Sequence, residues 1–218
     1  MLFDIIDINA GAKLVLPNAS KLMTYQTTVG GLADTETASI FADRSVTFES
    51  TTFTVSTAGY VNGVGLGYTK NMGPGHNEVT LKNGNTHQSN VGGTHGGRAA
   101  GQTSEDAGGA GGYGSYITPL TLGSGGSSSS TREGGDGGAA VRFKVKNMQV
   151  DGTITTDGQL GKGAAYAGGS GAGGSILLEV EETLTGSGII RSKGGDSTYG
   201  DSYNHGSAGG GGRIALHC

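Results

Sequence analysis

The sequence predicts an all-β protein, a parallel β-helix (solenoid) of short strands with packed glycine-rich, polyproline-II-like segments. Three observations predict it: an internal repeat, alternating apolar residues within each copy, and glycine runs between the copies. The chain has 218 residues, of which 46 are Gly and only 3 are Pro. Its apolar residues cluster between the glycine runs, unlike those of disordered chains. We therefore interpret the glycine runs as structure rather than as linkers.

The internal repeat has three clear copies. They occupy residues 46–65, 137–158 and 173–194. Gly152 matches Gly188 at an offset of 36 residues, whereas Val145 matches Val180 at 35, so one residue is inserted between them. A coil of a solenoid buries its inner face only by stacking on neighbouring coils. The repeat therefore predicts stacked coils.

Each copy contains apolar residues at every second position, such as Val141, Phe143 and Val145. Period two is typical of a strand with one buried face. Gly and Asn-Gly or Asp-Gly pairs interrupt these short segments, as turns do. No stretch has a clear helical period, so we expect no helices.

We predict one continuous structural domain with three parts. These are N-terminal coils over 1–65, a glycine-rich insertion packed on the solenoid over 66–138, and C-terminal repeats with glycine-rich segments over 139–218. Ordering glycine is entropically costly, and close approach of backbones offsets that cost. Replacing Gly97 or Gly111 with Val is therefore expected to destabilise the domain. A flexible linker, the alternative, would tolerate both changes.

The stretch "GGSGAGGSILLEVEETLTGSGIIRSKGGD", followed by "GSAGGGGRIALHC", resembles a glycine-rich β-solenoid repeat module of large extracellular and cell-surface proteins. That module has a glycine run, a GGSI strand, an LTGSGxI strand, and a second run ending in GGGGRIA. The resemblance covers about residues 46–218 and departs from the pattern at Arg191. It implies an extracellular β-solenoid with glycine-rich layers. It implies no particular activity, because such modules are mostly uncharacterised.

Charge and composition argue against several classes of partner. The 14 basic residues are scattered, and the net charge is −4, which is not a footprint for nucleic acid. No apolar run is long enough to insert into a membrane. Asp4 and Asp7 stand where a signal peptide carries basic residues. We interpret the chain as a piece of a longer extracellular protein; a cytosolic protein with one idle thiol is the alternative.

We predict no catalytic residues, no cofactor and no metal site. "GSGAGG" at Gly169–Gly174 fits a dinucleotide fingerprint, but a strand rather than a helix is expected after it. His95 is expected to hydrogen-bond backbone within glycine-rich layers, and Asp136 and Asp196 are interpreted as solvated turn acids. The adjacent Glu181 and Glu182 should point to opposite faces of a strand, which does not suit paired acid–base chemistry.

The candidate functional residues are few. Asn18 begins an N-glycosylation sequon, and Cys218, the lone cysteine, is a candidate for an intermolecular disulfide. Tyrosines beside glycines either cover the edges of glycine layers or stack on sugar rings. The candidates for stacking are Tyr113, Tyr116, Tyr199 and Tyr203.

The function predicted from these features is that of a non-catalytic extracellular structural or adhesive module, a building block of a cell-surface filament, appendage or large repeat protein. Its partners would be neighbouring copies or modules, and a polysaccharide or other glycan. The alternative is a carbohydrate-binding or carbohydrate-cleaving β-helix protein. A third hypothesis is an ice-binding face built on Thr52 and Thr54. Lys144, Gln149 and Glu179 in other copies argue against the regular array which that face needs.

Overall fold

The computed structural model describes residues 2–9, 12–30, 38–76, 79–80, 86–87, 91–99, 112–128, 132–162, 168–197 and 206–218. These ranges contain strands and no helix. The strands are β1 (Leu2–Ile8), β2 (Lys13–Leu16), β3 (Ser20–Val29), β4 (Ala38–Ala42), β5 (Ser45–Val55), β6 (Gly59–Asn62), β7 (Val79–Thr80), β8 (Thr86–His87), β9 (Ala140–Val150), β10 (Thr153–Thr155), β11 (Ser175–Thr185), β12 (Ile189–Arg191) and β13 (Arg213–His217).

The strands form two parallel sheets. The first, which we call the long sheet, has six strands in the order β1-β3-β5-β9-β11-β13. The short sheet has five strands in the order β12-β10-β6-β4-β2. In both sheets the strands follow chain order, and each long-sheet strand except β13 is followed by a strand of the short sheet. β7 and β8 form a separate antiparallel pair. The all-β class is thus confirmed, and the parallel architecture is compatible with a β-helix-like fold.

The strand register confirms the internal repeat. Thr153 pairs with Ile189 on one side, as the match of Gly152 with Gly188 predicts, and with Tyr60 on the other. Val145 pairs with Val180, and the register between β9 and β11 then shifts before Thr183. The shift is a β-bulge, and it accommodates the residue that the sequence comparison identified as inserted.

Apolar side chains from both sheets form one core between them. Its centre is an aromatic cluster of Phe48, Phe53 and Phe143, none more than 1% exposed. The Phe48 and Phe143 rings stack at 5.0 Å, and Phe53 meets both of them edge-on. The short sheet contributes Ile40 and Ile154, which are also fully buried. Burying each such side chain contributes about 1.5–3 kcal/mol to stability.

Glycine-rich segments beside the sheets hydrogen-bond to one another, and together we call them the glycine layer. They comprise residues 91–97, 122–128, 133–138, 156–161, 168–174, 192–195 and 206–212. Successive residues of the central segment, 168–174, donate backbone hydrogen bonds to three neighbouring segments in a repeating order. The bonds are Gly169 to Ser127, Ala172 to Ser124, Ser170 to Ser207, Gly173 to Gly210, Gly171 to Gln159, and Gly174 to Thr156. The donors thus repeat every three residues, which is the period of a polyproline II helix.

Close backbone contact explains why the layer consists of glycine. A Cβ atom on Gly171 would clash with the carbonyl oxygen of Asp136, and one on Gly138 would clash with that of Thr156. Two other glycines differ, because a Cβ on Gly97 would only touch a backbone nitrogen at 3.4 Å, and one on Gly211 would meet nothing within 4 Å. In the described segments the glycine runs thus hydrogen-bond to neighbouring backbones and lie in close contact with them. A Cβ at Gly97 therefore has a looser contact than one at Gly171; the effect of Val at Gly97 stays a prediction, and Gly111 lies outside the described residues.

Described parts of the predicted insertion bond to the C-terminal part of the chain. Gly93 donates to Ser170 at 2.9 Å, and Gly138 donates to Ala172 at 2.8 Å. The insertion is thus part of the glycine layer in these segments. The division at residues 65 and 138 remains a prediction.

Candidate functional site

A groove crosses the outer face of the long sheet where the alternation of inward- and outward-facing side chains changes phase. We call it the bend groove. Its volume is about 570 Å³, and it is lined by Met23, Thr24, Glu49, Ser50, Thr51, Lys144, Val145, Lys146, Glu179 and Glu181. The change of phase is visible in β9, where Val145 and Met148, three residues apart, are both buried. Strict alternation would place only one of them inward, so the strand is irregular at this point.

One wall of the bend groove is a column of alternating charges across three strands. Glu49 pairs in register with Lys144, and Lys144 with Glu179. Glu49 also forms an ion pair with Lys21 at 2.8 Å, whereas its distance to Lys144 is 4.0 Å. The Lys144 ammonium therefore lies between two carboxylates without a short contact to Glu49.

Glu179 in this wall is held as a carboxylate. Arg142 donates two hydrogen bonds to it, from Nε at 2.6 Å and from Nη2 at 2.9 Å. The hydrogen bonding by Arg142 lowers the pKa of Glu179 from its usual value. An acid held ionised in this way is a poor proton donor, so Glu179 suits binding better than general acid catalysis.

The opposite wall contains Thr51, Lys146 and Glu181. Lys146 forms an ion pair with Glu182 at 3.0 Å, and this contact raises the pKa of Lys146. Glu181 and Glu182 are both exposed, because they lie at the β-bulge between Val180 and Thr183. The prediction that they point to opposite faces of a strand was therefore wrong.

Beyond this wall, two columns of uncharged polar side chains continue across four strands. The first column is Gln26, Thr52, Asn147 and Thr183, and the second is Thr28, Thr54, Gln149 and Thr185. The argument against an ice-binding face treated Lys144 and Glu179 as counterparts of the threonines. That equivalence was wrong for Thr52, because Lys144 and Glu179 belong to the column of Glu49. Gln149 does share a column with Thr54. An ice-binding function remains an untested hypothesis.

His95 is fully buried in the glycine layer. Its Nδ1 lies 2.8 Å from the carbonyl oxygen of Gly173, and its Nε2 lies 2.7 Å from Oγ1 of Thr121. Because a carbonyl only accepts, Nδ1 carries the proton and Nε2 accepts from the threonine hydroxyl. Burial lowers the pKa of His95, which favours this neutral form. The predicted hydrogen bond to backbone is confirmed.

Two of the four candidate tyrosines lie in the described residues. The Tyr113 hydroxyl donates to the carbonyl of Leu122 and contacts Oγ of Ser124, and its ring lies 4.7 Å from that of His95. Burial raises the pKa of Tyr113 to about 12. These contacts fit a structural role at the edge of the glycine layer. Tyr116 is 77% exposed and its ring remains available. Tyr199 and Tyr203 lie outside the described residues.

Asn18 and Cys218 are both exposed. Asn18 lies in the turn between β2 and β3, where its Oδ1 accepts a hydrogen bond from the backbone of Ser45 at 3.3 Å. Cys218 has a free thiol. Glycosylation of Asn18 and an intermolecular disulfide at Cys218 both remain predictions.

The two turn acids are structural in different ways. Asp136 is partly buried and accepts a hydrogen bond from the backbone of Lys70 at 2.7 Å, so it is more than a solvated acid. Asp196 is exposed and forms an ion pair with Lys193 at 2.8 Å. The fingerprint-like "GSGAGG" leads into β11, as predicted, and not into a helix.

Further observations concern the described ranges alone. They contain no group of three or more His, Cys, Asp or Glu side chains that could hold a metal ion. They also contain no helix with the length and apolar character needed to cross a membrane.

The sequence comparison missed the bend groove. Its signal is present in the sequence, because Glu49, Lys144 and Glu179 occupy equivalent positions in three copies of the repeat. Recognising it requires the strands to be aligned in register and the bulge to be located.

A scan of protein-family models, a search of curated proteins and a search of solved structures each return no match to this chain.

Proposed function

We propose that this protein is a non-catalytic structural module of an extracellular or cell-surface assembly, and that it stacks end to end with neighbouring copies or modules. We further propose that the two sheets are walls of a closed solenoid, supported by a layer of polyproline-II-like glycine helices. The resemblance of residues 46–218 to glycine-rich surface modules supports both proposals.

The observation that carries the proposal is the exposure of core positions at the sheet ends. Ile214 and Leu216 on β13 are 47% and 49% exposed. Their register partners on β11, Ile176 and Leu178, are only 0% and 2% exposed. The rows of buried apolar side chains in the long sheet therefore continue onto β13, and within the described residues nothing covers them there.

The opposite end has the same character. Phe3 on β1 is 42% exposed, although its partner on β3, Thr24, is a buried position. In the described part of the chain, β1 pairs only with β3, and β13 only with β11. Unpaired edge strands with exposed apolar side chains favour pairing with further strands. Stacked coils would bury both ends.

Sedimentation velocity over a range of concentrations tests the stacking. The expected result is self-association of the parent chain, and its loss in the double variant Ile214→Lys, Leu216→Lys. The matched control is Met72→Lys, which changes another side chain that is 57% exposed but lies outside both sheets. A parent chain that stays monomeric at the highest concentration would contradict self-stacking.

The bend groove favours carbohydrate binding as a second candidate function. Carboxylates in ion pairs, such as Glu179, support recognition of hydroxyl groups rather than acid catalysis. Binding at the groove is compatible with end-to-end stacking, because the groove lies on the side of the sheet.

A further inference from the structure

We propose that the bend groove binds a neutral, extended polysaccharide of the β(1→4)-linked hexose type, with the sugar chain running across the strands. This proposal concerns the side of the long sheet and does not depend on end-to-end stacking. It also places the carbohydrate site away from the tyrosines that the sequence suggested.

The direction of the groove is set by its lining. Its residues come from four neighbouring strands, β3, β5, β9 and β11. A ligand that contacts all of them has to lie across the strands, and a linear polymer has that shape. Strands in a sheet are about 4.8 Å apart. One hexose unit of an extended β(1→4)-linked chain has about the same length, so each strand can meet a successive sugar.

The charges in the groove favour a neutral ligand. Carboxylates at Glu49, Glu179 and Glu181 are interspersed with ammonium groups at Lys144 and Lys146. A polyanion would meet the carboxylates, and a polycation would meet the ammonium groups. Sugar hydroxyls, in contrast, both donate and accept, and hydrogen bonds to charged groups are stronger than those between neutral groups.

Several groups along the groove retain hydrogen-bonding capacity. Within the described ranges, the one ion pair of Lys144 is its 4.0 Å contact with Glu49. The Thr51 hydroxyl and the Glu181 carboxylate line the groove, and neither forms a side-chain hydrogen bond or ion pair with the described residues. The uncharged columns next to the groove, headed by Gln26 and Thr28, widen the polar surface on one side.

Titration calorimetry with three neutral β(1→4)-linked hexasaccharides of hexoses, cellohexaose, mannohexaose and galactohexaose, tests the proposal. The test variant is Lys144→Ala with Glu181→Ala. Glu49 then keeps Lys21, and Glu179 keeps Arg142, so no carboxylate loses its short ion pair. We expect at least one hexasaccharide to bind the parent, and the variant to bind it at least tenfold more weakly.

Two further variants make the result decisive. Thr51→Arg fills the groove from the surface without touching the core, and should also reduce binding at least tenfold. Thr153→Ala, on the outer face of the short sheet, is the control and should change affinity less than twofold. The proposal is overturned if the parent binds none of the three hexasaccharides, or if both groove variants bind them like the parent. It is also overturned if the parent binds polygalacturonate, a polyanion, more tightly than the hexasaccharides.

Discussion

The core between the sheets and the glycine layer achieve order by different means. In the core, Phe48 and Phe143 stack and exclude water, and the backbone bonds run between parallel strands. In the layer, the central segment has almost no side chains, and its backbone bonds run to three neighbours in turn. The core therefore depends on filling space with side chains, whereas the layer depends on leaving that space to neighbouring backbones. The core should therefore be sensitive to the removal of side-chain atoms, and the layer to their addition.

The largest expected effect is in the core. Phe143→Ala removes the ring that stacks on Phe48 and meets Phe53 edge-on. The lost contacts and the remaining cavity should lower the free energy of unfolding by about 3–5 kcal/mol. Denaturant titration followed by circular dichroism measures this. Phe143→Leu, which keeps much of the volume, should cost clearly less, and equal losses in both variants would contradict the packing argument.

The glycine layer should respond to the addition of an atom rather than to its removal. Gly171→Ala places a methyl group against the Asp136 carbonyl oxygen, and overpacking of this kind costs about 1–3 kcal/mol. Gly211→Ala, the matched control in a neighbouring segment, meets open space and should change stability by no more than a few tenths of a kcal/mol. Thermal melts of the two variants compare them directly. Equal melting temperatures would show that the layer tolerates side chains.

The buried His95 should make the layer sensitive to acid. Since burial lowers its folded-state pKa below the ordinary value of 6.5, the unfolded chain binds more protons than the native one between those two pKa values. Stability should be unaffected by this group above pH 6.5 and fall as the pH drops below it, by up to about 1.4 kcal/mol per pH unit.

Denaturant titrations at pH 7.5, 6.0 and 5.0 measure this slope. The contribution of His95 to the slope of stability against pH should disappear in His95→Gln, whatever the stability of that variant at pH 7.5. A slope that is the same in the parent and the variant would assign the acid sensitivity to other groups.

The smallest expected effect is at the surface of the long sheet. Arg142→Ala removes the two hydrogen bonds to Glu179, a pair whose side chains are 30% and 28% exposed. Such a pair contributes less than about 1 kcal/mol. Denaturant titration measures this loss, and a loss as large as that of Phe143→Ala would indicate that the column of charges stabilises the sheet as strongly as the core does.

The repeat and the strand register were predictable because both follow from a pattern that recurs along the sequence. Residues 35 and 36 positions apart carry the same apolar pattern, and the structure pairs Val145 with Val180 accordingly. The order of the glycine layer was also predictable, since glycine runs need close contact to become ordered. The difference in the space around Gly97 and Gly171 was not predictable, because it depends on neighbours that are distant in the sequence.

The bend groove was beyond sequence reasoning for a related reason. Strict alternation assigns Glu181 and Glu182 to opposite faces, but the bulge exposes both. A single inserted residue changes the face of the sheet to which the side chains after it point. The charge column became visible only when the register had placed Glu49, Lys144 and Glu179 side by side.

Amide hydrogen exchange at single-residue resolution tests most directly whether the glycine layer is as ordered as the sheets. The amides of Gly169–Gly174 donate to three different segments, so they should be protected as strongly as those of Phe143 and Val145 in β9. The account predicts slow exchange at all six positions, lost only on global unfolding. Exchange of these amides at the rate of an unstructured peptide, with β9 still protected, would contradict it.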